Sequence, residues 1–150
     1  MIIGINNYES SDIPNLSGAV YDADDMLAYL QLSLGLPSSQ IMNLRDSEAT
    51  RAAIIGGIMA FSLNDGIKKG DPILIYYAGY GGSADAPEGL GWEVGSSGRI
   101  ELLVPYDYSS SPEGKHGIPD RAMRALLFRL ANKKGDNIVR QNFILRGFVN

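Results

Sequence analysis

Residues 72–82 read Pro72-Ile73-Leu74-Ile75-Tyr76-Tyr77-Ala78-Gly79-Tyr80-Gly81-Gly82. The first seven carry no charge and are rich in β-branched and aromatic side chains. Such a run predicts a strand covered on both faces, which is the pattern of a parallel sheet rather than a half-solvated antiparallel one. On its amino side, Thr50 is placed to cap a helix over residues 51–63, with Ile54, Ile55, Ile58, Met59 and Phe61 as its apolar stripe. Gly56 and Gly57 inside it should each cost about 1 kcal/mol relative to alanine. Asn64-Asp65-Gly66 closes that helix. On the carboxyl side, residues 79–98 form a Gly/Ser/Pro-rich segment, followed by a strand candidate over 99–104 and a polar loop over 106–117.

Working further outward, Pro119 suits the first turn of a helix running to about residue 134. Met123, Leu126, Leu127 and Leu130 form its core face, and Lys133-Lys134 followed by Gly135 suits its C-terminus. Residues 138–145 are a last strand candidate. Near the amino end, residues 2–5 (Ile-Ile-Gly-Ile) read as a short buried strand, and residues 19–32 as a helix with Val20, Ala23, Leu27 and Leu30 on one face. Residues 40–44 are a short strand candidate. Strands alternating with helices imply an α/β fold, a mainly parallel sheet with helices on both faces, and function at the carboxyl ends of the strands.

The chain has 150 residues, the size of one domain. It contains no cysteine and one histidine, His116, in an exposed-looking polar loop. That excludes disulfides, thiolate zinc sites and multi-histidine metal sites within this sequence. The net charge of −4 argues against nucleic acid as a partner. The first 75 residues carry nine acids against four bases, while residues from Asp120 onward carry seven bases against two acids. The latter reads as the solvated face of a helix and tail. No run of about 20 apolar residues predicts a membrane span, and no leader pattern is visible. These features suit a cytoplasmic protein.

Candidate sites are few. Gly79 to Ala84 formally matches a dinucleotide fingerprint, but Asp85-Ala86-Pro87-Glu88 opens no helix to receive a pyrophosphate. No phosphate-binding loop and no serine nucleophile elbow is present. Asp22, Asp24 and Asp25 lie early in the first helix, where carboxylates favour the dipole. Tyr76, Tyr77 and Trp92 read as core and rim aromatics.

Four segments occur together in a recognisable order: residues 2–8 (Ile-Ile-Gly-Ile-Asn-Asn-Tyr), residues 16–23 (Leu-Ser-Gly-Ala-Val-Tyr-Asp-Ala), residues 76–82, and Gly117-Ile118-Pro119-Asp120 with the helix and Lys134-Gly135-Asp136-Asn137-Ile138 after it. In this the chain resembles the caspase-like domain of metacaspase-type cysteine peptidases, in the form found in mushroom-forming fungi. The resemblance covers residues 2–138; residues 139–150 read as a divergent C-terminal tail. It implies an αβα sandwich and a Cys–His dyad, with the histidine after the third strand and the cysteine after the fourth. It also implies that an aspartate opening the first helix lines an acidic pocket for Arg or Lys at the cleavage site. Carried over, Asp22 matches the pocket acid and Gly81 an oxyanion-hole glycine. Tyr80 stands at the histidine position, and the cysteine has no counterpart. A phenol is a poor base near neutral pH and cannot form the imidazolium that stabilises a thiolate.

The resulting expectation is a catalytically inactive pseudo-peptidase, with the C-terminal part of the domain missing. It would act by binding a basic peptide, by self-association or by pairing with a related caspase-like chain, with no cofactor, metal, nucleic acid or membrane involved. The alternatives are a cysteine-type endopeptidase by family membership and a non-functional truncated gene product.

Overall fold

The structure, a computed structural model, describes residues 1–85, 98–111, 114 and 116–146. The elements in chain order are β1 Ile2–Gly4, α1 Ala19–Ala28, β2 Asn43–Arg45, α2 Arg51–Leu63, β3 Ile73–Asp85, β4 Arg99–Leu103, β5 Ile118–Pro119, α3 Asp120–Lys134 and β6 Ile138–Arg146. The strands make one mixed sheet. Its core is parallel, with β1 against β2 and β3, and β6 along the other edge of β3. β4 and β5 extend it antiparallel.

Side-chain alternation divides β1 and β3 between two cores, as a strand period of two requires. Ile2, Tyr76 and Ala78 pack under α1 with Ala19, Ala23 and Leu30. Ile3, Ile5, Ile73, Ile75 and Tyr77 pack on the opposite face with Ile54 and Ile58 of α2 and Met123 and Leu130 of α3. Helices therefore cover both faces, as the apolar run at 72–78 predicts. The contact of α1 with β1 is backbone-close. A Cβ added at Gly4 would lie 2.7 Å from Ala23 Cβ and 2.9 Å from the Ala19 carbonyl oxygen.

Three local readings change. The first helix is α-helical only to Ala28 and continues as a π-helical turn over Tyr29–Ser33. The wider turn keeps Leu30 buried while the chain reverses at Gly35, whose φ of +68° suits glycine. The strand read at 40–44 begins later, at Asn43, because Ser38–Gln40 closes a 3-10 turn.

The third change is the largest. The Gly-rich residues after Ala78 are not a loop at their start: β3 runs on to Asp85, paired from Gly81↔Leu103 to Asp85↔Arg99. Ladder hydrogen bonds override the poor strand propensity of glycine here, helped by Arg99, whose Nε donates to Ser83 Oγ at 3.0 Å. Trp92 lies outside the described residues.

Long-range polar contacts tie the layers together. Thr50 Oγ1 accepts from the Ala53 N–H at 3.1 Å, the cap read from the sequence. Asp107, almost fully buried in the loop after β4, accepts from the Arg51 N–H at 2.7 Å and so adds a second cap to the same helix. Lys134 is also buried. Its Nζ donates to the carbonyls of Asn64 at 2.8 Å and Ile67 at 3.0 Å, clamping the α2–β3 connection onto the end of α3. His116 is exposed.

Candidate functional site

The carboxyl ends of β1, β2 and β3 meet the amino end of α1. Gly18, at the start of α1, has no side chain to cap it. The cap comes from across the chain: Asn6, just past β1, accepts from the Val20 N–H through Oδ1 at 3.2 Å. Asp46, just past β2 and at a positive φ of 42°, holds the Asn6-Asn7 turn in place. Its Oδ1 accepts the N–H groups of Asn6 at 2.8 Å and Asn7 at 2.9 Å. Its Oδ2 accepts from Asn7 Nδ2 at 3.1 Å.

On the α1 face, Asp22, Asp25, Met26, Tyr29 and Tyr76 line an open depression of about 300 Å³. Asp22 lies in the first turn of α1 and is exposed. Asp24 is turned away from this depression to an ion pair with Arg45 at 3.0 Å. The depression thus has two carboxylates on its rim and an aromatic and thioether wall. Burial pushes the Tyr76 hydroxyl above its ordinary value, and the charges of Asp22 and Asp25 push it the same way.

Tyr80 is four residues further along β3, about 13 Å by the rise of a strand. The backbone alternation shows how it is held. Tyr76 N–H donates to the Met1 carbonyl and Ile5 N–H to the Ala78 carbonyl, so even-numbered residues of β3 face β1. β1 is too short to reach Tyr80. The Tyr8 hydroxyl takes its place and accepts from the Tyr80 N–H at 2.9 Å. The Tyr80 carbonyl accepts from the Val104 N–H at 3.1 Å, where the β4 ladder begins.

Beneath this point, the fully buried Tyr77 hydroxyl lies 2.9 Å from the Tyr80 carbonyl and 2.7 Å from that of Val104. With one proton it serves one of them at a time. The rings of Tyr8 and Tyr80 stack obliquely, centroids 5.5 Å apart and planes inclined by 39°. Gly79 leaves room for the hydroxyls, since a Cβ there would lie 2.8 Å from Tyr77 Oη and 3.1 Å from Tyr8 Oη. Burial raises the Tyr8 hydroxyl to about 12 and holds that of Tyr77 well above the ordinary value. Both phenols are therefore fixed as neutral hydrogen-bonding groups.

Gly81 sits inside two ladders, opposite Leu103 of β4 and Arg146 of β6. Among the described residues no cluster of three His, Asp or Glu side chains could hold a metal ion. No helix among them is long and apolar enough to cross a membrane.

The family profile of the caspase domain matches residues 1–127. This chain belongs to the caspase-domain family. The caspase domain's fold is also that of a solved structure of a protein from Geobacter sulfurreducens, with a TM-score of 0.64 over 94% of this chain at 20% identity. The chain spans 47% of that protein's length. Among curated proteins, none matches the sequence significantly.

In this caspase domain, Asp22 lines the depression that Tyr76 also lines, and Tyr80 lies four residues further along β3, packed against Tyr8. The roles of Tyr8, Asn6, Asp46 and Asp107 are not read from the sequence. Tyr8 lies within one of the segments that carry the family resemblance, and that proximity is the one signal that could have drawn attention to it.

Proposed function

We propose that this caspase domain has no peptidase activity of its own and holds the cationic side chain of a peptide at Asp22 and Asp25. The observation that carries the reading is Tyr80. It stands where the metacaspase-type pattern has its histidine, and its backbone is tied on both sides by Tyr8 and Val104. The sequence has no cysteine to act as nucleophile. Gly81 supports the same reading, because a backbone N–H committed to a ladder cannot also be aimed at an oxyanion. The binding half rests on the depression beside α1. Its two carboxylates would take a guanidinium or ammonium group, and Met26, Tyr29 and Tyr76 would cover the alkyl stem.

The expected result with fluorogenic peptides ending in Arg or Lys is no turnover above a buffer blank. Tyr80→His should change nothing, since no thiol is present for a histidine to serve. Turnover by protein free of contaminating protease would overturn the first half of the proposal.

For the second half, a blocked arginine peptide titrated by NMR should shift resonances around Tyr76 and α1. Exposed carboxylates contribute only about 0–1 kcal/mol each, so the dissociation constant should be on the order of millimolar. Asp22→Ala should abolish most of the shift. Identical shifts in both proteins would leave Asp22 as a partner of the helix dipole alone.

Family membership favours a second reading, a cysteine-type endopeptidase with Arg/Lys specificity. It requires a thiol from outside this sequence, so activity that appears only on mixing with another caspase-domain chain would support it.

A further inference from the structure

We propose that copies of this chain stack head to tail, with the acidic α1 side of one against the basic α2–α3 side of the next. α1 carries Asp22, Asp24 and Asp25 and no basic residue. α2 and α3 lie on the other face of the sheet. Together they carry Arg51, Arg121, Arg124, Arg129, Lys133 and Lys134 against one acid, Asp120. Part of this charge is matched within the chain. Asp24 pairs with Arg45, Asp120 pairs with Arg124 and Arg140, and Lys134 is buried on two carbonyls. Asp22 and Asp25 on one side and Arg129 and Lys133 on the other are exposed, and none of the four has an ion pair among the described residues. The sheet stands between the two sets, so one molecule cannot bring them together. A second copy can.

Each side also presents apolar surface. Beside the carboxylates, Tyr21 is 72% exposed and Leu32 86%, and Tyr29 and Leu34 are more than half exposed. On the other side, Met59 and Leu63 of α2 are exposed among Ala52, Gly56 and Ala60, a helix face without charge. The bonds of Lys134 to the Asn64 and Ile67 carbonyls set the carboxyl ends of α2 and α3 side by side. The helix that bears Arg129 and Lys133 therefore borders that apolar face. An apolar face beside cations complements an apolar face beside carboxylates. The proposal rests on the reading above and names its partner: the cationic side chain held at Asp22 and Asp25 is Arg129 or Lys133 of a second copy. Such a contact joins two different surfaces, so it does not close after two copies. Exposed ion pairs contribute about 0–1 kcal/mol each, so the dissociation constant should be on the order of 0.1 mM.

Light scattering on the full chain across a wide concentration series tests the idea. At about 0.1 M salt a charge acts over about 10 Å, and at about 1 M over about 3 Å. At the lower salt the mass should climb with concentration past twice the 16.2 kDa of the chain, and at the higher salt it should return to that of one chain. Asp22→Lys with Asp25→Lys makes both sides basic. Arg129→Glu with Lys133→Glu makes the α2–α3 side more acidic. Each of these proteins alone should stay monomeric. Mixing them should restore assembly, because each offers the side that the other lacks. The milder changes Asp25→Asn and Arg129→Gln should each weaken assembly by up to about fivefold.

A wild-type chain that stays monomeric at the lower salt at every concentration overturns the proposal. An arginine peptide that still shifts the Tyr76 resonances would then leave the peptide reading standing. Assembly that persists in either charge-reversed protein alone also overturns the proposal, as does a mixture of the two folded proteins that stays monomeric. So does assembly that Asp25→Asn and Arg129→Gln both leave unchanged, a comparison that holds even where a reversed helix fails to fold.

Discussion

Gly4→Ala should destabilise the protein by about 3 kcal/mol, the upper part of the range for overpacking a closed contact. The methyl group would meet Ala23 Cβ at 2.7 Å, the Ala19 carbonyl at 2.9 Å and Val20 Cα at 3.2 Å. Two of these three are backbone atoms of α1, so no flexible side chain can swing aside. Either α1 lifts from β1, or β1 shifts against β2 and β3, and both loosen the buried cluster of Ile2, Tyr76 and Ala78.

In a domain of this size the melting temperature should fall by roughly 10 °C. Gly56→Ala is the control. It lies on the exposed side of α2, with nothing within 4 Å of the added methyl. It should stabilise the helix by about 0.5–1 kcal/mol. If the two variants melt together, the tight seating of α1 on β1 is wrong. α1 also carries Asp22, Asp25 and Met26 of the depression, so Gly4→Ala should weaken the proposed binding of an arginine peptide as well.

The second large effect appears in alkali. In an unfolded chain a phenol releases its proton near pH 10. In the folded protein burial raises Tyr8 to about 12, and Tyr77 well above the ordinary value. Above pH 10 the folded state therefore holds more protons than the unfolded state, and stability falls as pH rises. The contribution of Tyr8 is fully present below pH 10. It declines by about 1 kcal/mol at pH 11 and about 2 kcal/mol at pH 12. Tyr77 acts in the same direction.

Urea melts from pH 7 to pH 11 should show this fall, and Tyr8→Phe should flatten it. At pH 7 the same variant should be weaker by about 1–2 kcal/mol, because the Tyr80 N–H loses its acceptor. A Tyr8→Phe protein with the slope of the parent would place the alkaline sensitivity elsewhere.

Much of the architecture is legible along the chain because its signals are local. The apolar run at 72–78 marks a doubly covered strand. Thr50 with Ile54 and Ile58 marks α2 to the residue, although Met59, read as part of the same stripe, is 47% exposed. Pro119 and Gly135 bracket α3. Each of these rests on neighbours within a turn or two. The extension of β3 through Gly79, Gly81 and Gly82 is not legible, because intrinsic propensity points the other way. It is decided by β6, which pairs with β3 as far as Gly81, and by β4, which pairs with it from Gly81 to Asp85. Asp107 capping Arg51 spans 56 residues, and Tyr8 bonding Tyr80 spans 72. Neither spacing leaves a periodic trace.

By itself the sequence determined the α/β class, the two-sided cover of the central strand, the family resemblance and the lack of a thiol. All of these depend on residue identity or on periods of two and 3.6 residues, which are local properties of a chain. The tertiary structure alone decided which groups complete each other. β1 stops short of Tyr80, so a hydroxyl from Tyr8 finishes the ladder that the strand cannot reach. α1 lies close enough over Gly4 to bring Asp22 and Asp25 to the ring of Tyr76. β6 aligns with β3 in parallel over nine residues, from Ile73↔Ile138 to Gly81↔Arg146. Buried donors and acceptors must be paired, and the partner is whichever group packing brings near, at whatever distance along the chain.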